Sequence, residues 1–121
     1  YTFQQVLDAQ NNSLTKSKQI PYTPRNLLSF NTKLNILKYT YLGVQLFYSG
    51  ERFALPDNST NSRLKPYILS DIMISQVLEL KSLKFFISFE ISNALNTAYE
   101  IYKNYPMPGR SFRIEISSAF Q

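Results

Sequence analysis

The sequence predicts an all-β fold, an antiparallel up-and-down sheet of about six strands with the pattern of a transmembrane barrel wall. Three observations predict it. Apolar residues alternate with polar ones along stretches of about ten residues, longer than the usual five or six of a soluble strand and close to the 9–11 that a tilted strand needs to cross a bilayer. Short turns and long polar connections take turns along the chain, as they do on the two faces of an outer-membrane barrel. Aromatic residues gather near strand ends, where interfacial girdles belong.

The first expected strand is Tyr1 to Asp8. The next runs from Leu28 through Phe30, Thr32, Leu34 and Ile36, with Ser29, Asn31, Lys33 and Asn35 on the other face. A tight turn near Leu37-Lys38-Tyr39 leads to Leu42, Val44, Leu46 and Tyr48, alternating with Gly43, Gln45, Phe47 and Ser49. Tyr67 to Val77 is noisier, with Ile72 and Ile74 opposite Asp71 and Ser75. A short connection, Leu78 to Ser82, precedes the clearest stretch: Leu83, Phe85, Ile87, Phe89 and Ile91 against Lys84, Phe86, Ser88, Glu90 and Ser92. The last strand sets Phe112, Ile114, Ile116, Ser118 and Phe120 against Arg113, Glu115, Ser117 and Ala119. Three connections are long: roughly Ala9 to Pro24, Gly50 to Pro66 and Asn93 to Gly109. They are rich in Asn, Ser, Thr, Pro and Lys, as solvated loops are.

Alternation alone fits two arrangements. A soluble sheet turns its apolar face into a core, whereas a membrane barrel turns it to lipid and its polar face to a lumen. Strand length, loop asymmetry and the positions of Tyr22, Tyr39, Tyr41, Tyr48, Tyr67, Tyr99 and Phe112 favour the barrel. On the polar face Lys33, Asp71, Glu90, Arg113 and Glu115 escape the cost of charge in lipid, about 2–4 kcal/mol for a basic residue at the midplane.

Composition removes several function classes. Among 121 residues there is no histidine and no cysteine, which excludes imidazole-based triads, thiol nucleophiles, disulfides and zinc ribbons. The acids Glu51, Glu79, Glu90 and Glu100 show no paired spacing for general acid/base work. No catalytic, metal or cofactor site is expected, and the chain does not read as an enzyme. The formal charge is +5, but its lysines and arginines are scattered, so no nucleic-acid partner is expected. Asn11-Asn-Ser13 and Asn58-Ser-Thr60 match the glycosylation acceptor pattern by chance composition. Asp57-Asn-Ser-Thr-Asn61 lacks the Gly and terminal Glu of a calcium loop.

The C-terminal third is more specific. Asn93-Ala-Leu-Asn-Thr-Ala-Tyr99, then Tyr105-Pro-Met-Pro-Gly-Arg-Ser-Phe-Arg-Ile114 and a strand ending at Phe120, resembles the end of TonB-dependent outer-membrane receptors. Ile20-Pro-Tyr-Thr-Pro-Arg25, Tyr48-Ser-Gly-Glu-Arg52 and Lys65-Pro-Tyr-Ile-Leu-Ser-Asp71 resemble that family's late strands, in the right order. The likeness covers nearly the whole chain. It implies that residues 1–121 are the C-terminal part of a barrel of roughly 22 strands, without its plug domain. It also implies a place in the bacterial outer membrane and a role in importing a scarce nutrient, such as a ferric siderophore, cobalamin or a glycan. The implied partners are the rest of the barrel and its plug, the TonB complex, outer-membrane lipid and the small-molecule nutrient.

Pro106, Pro108, Gly109, Arg110, Phe112 and Phe120 make up the barrel-closing segment. The prolines are expected to stop pairing, Gly109 to adopt a φ that other residues avoid, and Arg110 to sit at the polar rim. The family usually ends on an aromatic residue, whereas Gln121 follows Phe120 here. Loop position and side-chain type make Arg52, Phe53, Arg63, Tyr99, Tyr102 and Tyr105 the candidate ligand contacts. The alternative is a soluble six-stranded β-domain that binds a ligand or a protein. A small passive barrel is disfavoured, since about eight strands are its minimum. Six open strands leave two unpaired edges, so more chain or more chains are expected to close the sheet.

Overall fold

A computed structural model describes residues 18–120. The expected strand at Tyr1 to Asp8 lies outside them. The chain divides into two compact units. One comprises residues 18–29, Phe47–Ile68 and Thr97–Pro108, and the other Phe30–Leu46, Leu69–Asn96 and residues 109–120.

The elements in chain order are β1 (Leu27–Leu37), β2 (Thr40–Ser49), β3 (Arg52–Phe53), a 3-10 turn (Thr60–Ser62), β4 (Arg63–Leu64), β5 (Tyr67–Leu80), β6 (Leu83–Ser92), β7 (Glu100–Tyr102), β8 (Tyr105–Pro106) and β9 (Ser111–Phe120). The fold is all-β, and the five long strands form one sheet in the order β1-β2-β5-β6-β9. The alternating stretches among the described residues therefore become strands, with β5 running three residues past the expected Val77. Two-residue turns join β1 to β2 (Lys38-Tyr39) and β5 to β6 (Lys81-Ser82). Tyr39 and Lys81 take positive φ there, 65° and 51°.

Register fixes the faces in the second unit. Antiparallel pairing sets Ile74 opposite Phe89 and Phe89 opposite Ile114, then Ile72, Ile91 and Phe112, then Leu80, Leu83 and Phe120. Directly opposed residues share a face, so these rows make one apolar surface. The other face carries the rows Met73, Glu90, Arg113 and Ser75, Ser88, Glu115. Gly43 belongs to the polar face, since a Cβ built on it meets the Met73 side chain at 3.4 Å.

The apolar surface is not a core. Among the described residues the only buried hydrophobic side chain is Leu64, at 2% exposure. Leu28, Phe30, Leu34 and Ile36 of β1 are exposed, as are Ile72, Ile74 and Leu78 of β5. On β9 Ile114 is 70% exposed and Phe120 86%. A sheet that ordinarily hides one face here leaves its apolar face bare.

The first unit holds the connections that were expected to be irregular. They contain two short ladders instead. β3 pairs with β4, Arg52 opposite Leu64 and Phe53 opposite Arg63, and β7 pairs with β8, Glu100 opposite Pro106 and Tyr102 opposite Tyr105. Each folds a long connection back on itself, which satisfies backbone groups that a plain loop would leave to water. Gln19 is the other organiser of this unit. Its buried amide donates to the carbonyls of Thr23 at 2.6 Å and Glu51 at 2.7 Å, and its backbone N–H donates to Asn58 Oδ1 at 2.6 Å. Asn58 Nδ2 returns a bond to the Gln19 carbonyl at 3.0 Å. The Asn58-Ser-Thr segment is thus a structural clasp, entered at a positive φ of 53°.

Candidate functional site

The six candidate contacts all lie in the first unit, in three different settings. Arg52 is only 3% exposed. Its guanidinium lies over the Tyr67 ring at 4.8 Å, and Nη2 donates to the Glu100 carbonyl at 2.8 Å. Nε is buried with no partner. Tyr67 in turn packs on Tyr99, ring centroids 4.7 Å apart, and on Phe47 at 6.2 Å. The buried cation therefore ties β3 to the aromatic cluster and to β7, holding the two short ladders together. A cation over an aromatic face is worth up to about 2 kcal/mol when desolvated.

Arg63 and Tyr99 share a concavity of about 310 Å³, lined also by Lys65, Tyr67, Glu100 and Pro106. Arg63 is ion-paired with Glu51. Phe53 lines a second concavity of about 470 Å³ with Lys18, Gln19, Arg25, Glu51 and Asn58. Tyr102 packs on Tyr22, centroids 5.3 Å apart, and Tyr105 is 71% exposed. Cations beside aromatic faces suit a flat or anionic small molecule. The structure brings Arg63 and Tyr99 to one concavity, leaves Phe53 in a separate hollow, and uses Arg52 as a strut.

The closing segment follows its sequence reading in part. Ladder pairing ends at the prolines: β8 closes on Pro106, opposite Glu100, and Met107 N–H donates one further bond to the Tyr99 carbonyl at 2.9 Å. Gly109 does not take a positive φ. What it supplies is room, because a Cβ there would lie 2.7 Å from Asn96 Oδ1. The same oxygen accepts the Arg110 N–H at 2.9 Å. Asn96 is itself placed by a turn in which Asn93 and Asn96 take φ of 50° and 53°. Asn93 N–H donates to Asp71 Oδ1 at 2.8 Å, and Ala94 N–H to the Ser70 carbonyl at 2.6 Å. The Asn-Ala-Leu-Asn stretch and the Gly-Arg pair are thus two halves of one lock at the head of β9. Phe112 follows, exposed and stacked on Phe89 at 6.3 Å.

Charge on the sheet stays on the polar face. Arg113 Nη1 approaches Glu90 Oε2 at 3.9 Å, and Lys84 Nζ is 2.7 Å from Glu79 Oε1. A hollow of about 400 Å³ on this face is lined by Lys33, Tyr41, Ser75, Phe86, Ser88 and Glu115. Lys33 Nζ stands 4.7 Å over the Tyr41 ring. Tyr41 therefore departs from the expected interfacial girdle: it shares the polar face with Lys33.

No protein-family model matches this chain, and no curated protein compared with it matches either.

Proposed function

We propose that the chain is wall and loop material of a TonB-dependent outer-membrane receptor. It supplies late strands of a transmembrane barrel, together with extracellular loops, to an importer of a scarce nutrient such as a ferric siderophore, cobalamin or a glycan. In this reading it performs no reaction, and its partners are the remaining barrel, the plug, the TonB complex and outer-membrane lipid.

One observation carries the proposal: the sheet's apolar face is exposed across β1, β5 and β9, while Leu64 is the only buried hydrophobic among the described residues. Soluble monomers rarely expose contiguous apolar patches beyond a few hundred Å², but lipid turns such a face into a stabilising one. Strands of 10 to 14 residues support it, as does the alternation of two-residue turns with long connections along the chain. Among the described residues β1 and β9 each have one neighbour. Hydrocarbon does not tolerate unpaired edges, so the reading requires further strands on both.

Expressing the chain alone and extracting it with and without detergent tests the proposal. Insolubility without detergent and no cooperative melt are expected. A soluble monomer with a sharp melting transition would overturn it in favour of a soluble β-domain that binds a ligand or protein.

A further inference from the structure

We infer that the short-turn end of the sheet is a docking rim for anionic phospholipid, with Lys38 and Lys81 meeting the lipid phosphate. This rests on the membrane reading above. The turns Lys38-Tyr39 and Lys81-Ser82 both lie in the second unit. Val77 N–H donates to the Tyr39 carbonyl at 2.9 Å, which fixes the first turn against β5. The second turn comes four residues further along β5, about 13 Å at ~3.3 Å per residue. In a wall tilted by about 35–45° such a stagger brings neighbouring turns toward one level.

Charge and apolar surface meet at this end. Lys38, Lys81 and Lys84 stand against Glu79, and Lys84 is the lysine that Glu79 engages. Among the described residues Lys38 and Lys81 have no ion-pair partner. Lys38 Nζ lies 5.2 Å over the Tyr39 ring, an amphipathic pair of the kind that favours the headgroup level. Just beyond Lys81 the apolar face begins with the row Leu80, Leu83 and Phe120, whose Leu80 and Phe120 are exposed. Free phosphate would satisfy only the two lysines. A phospholipid satisfies the lysines with its headgroup and the Leu80–Phe120 row with its acyl chains, so the juxtaposition selects the lipid.

Vesicle flotation tests this, with the chain refolded from denaturant into phosphatidylcholine vesicles or into an equimolar mixture with phosphatidylglycerol. Each lysine near an anionic surface is expected to contribute about five-fold to the partition ratio at low salt. Replacing both, Lys38→Gln with Lys81→Asn, removes roughly thirty-fold, and Asn tolerates the positive φ at position 81. Arginine at both positions retains the preference, and Lys103→Gln in the other unit leaves it intact. An anionic preference that survives the double replacement overturns the inference, as does one abolished by millimolar inorganic phosphate at constant ionic strength. Equal partition of the unmodified chain into both vesicles overturns the rim alone. Failure to enter either vesicle overturns the membrane reading itself.

Discussion

Replacing Arg52 by alanine separates a strut from a ligand contact. The guanidinium is buried, bonded to the Glu100 carbonyl at 2.8 Å and set over Tyr67 at 4.8 Å. Its hydrogen bond contributes about 1.5–3 kcal/mol as a charge-assisted bond, and the cation–π contact about 1–2 kcal/mol. Against this, Nε has no partner, and removing it relieves a penalty of about 1–3 kcal/mol. The net loss is about 2 kcal/mol, which raises local opening of the first unit roughly thirty-fold. Limited chymotrypsin digestion of detergent-solubilised protein reads that opening at Tyr102, whose bond to Lys103 is cleavable, and avoids the tryptic site that the substitution itself removes. Cleavage should accelerate by about that factor. Lysine should rescue little, because an ammonium lacks the planar fork that reaches the carbonyl and stacks on the ring. Cleavage within two-fold of the unmodified rate would refute the strut and return Arg52 to the ligand contacts.

Gly109→Ala should cost about 1 kcal/mol in urea titration, the worth of the Asn96–Arg110 hydrogen bond that the new Cβ displaces. It should cost almost nothing in an Asn96→Gly background, where the obstructing oxygen is gone; equal costs in both backgrounds would dismiss the lock. Ile114→Arg should destabilise the protein in vesicles by about 2–4 kcal/mol, while Ser117→Arg on the opposite face changes stability by less than ~1 kcal/mol. Both side chains are exposed, so equal effects would indicate that water, not lipid, meets the two faces.

The long strands were legible because period-two alternation persists over ten residues. Leu83–Ser92 matches its expected bounds, and β9 starts one residue early at Ser111. The ladders β3–β4 and β7–β8 were not legible, since two or three residues carry no period. Nor was the role of Arg52: a cation on a loop is ordinarily solvated, and only the tertiary position of Tyr67 and Glu100 draws it inside. The conformation of Gly109 was not legible either. Gly109 answers to Asn96, thirteen positions earlier, and no local rule points to a contact between separate turns. Gln19 and Asn58 were missed for the same reason, as their hydrogen bonds join segments far apart in sequence.

In the membrane reading the apolar face of the sheet meets lipid and the polar face meets water. The chain contains no cysteine, so single cysteines placed in turn from position 112 to 120 report each site without background. With the protein in vesicles, each carries a fluorophore challenged by a lipid-phase quencher and by an aqueous one. Quenching by lipid is expected at 112, 114, 116 and 120 and by the aqueous agent at 113, 115 and 117, alternating with period two. Uniform aqueous quenching along β9, or alternation in the opposite phase, would contradict it.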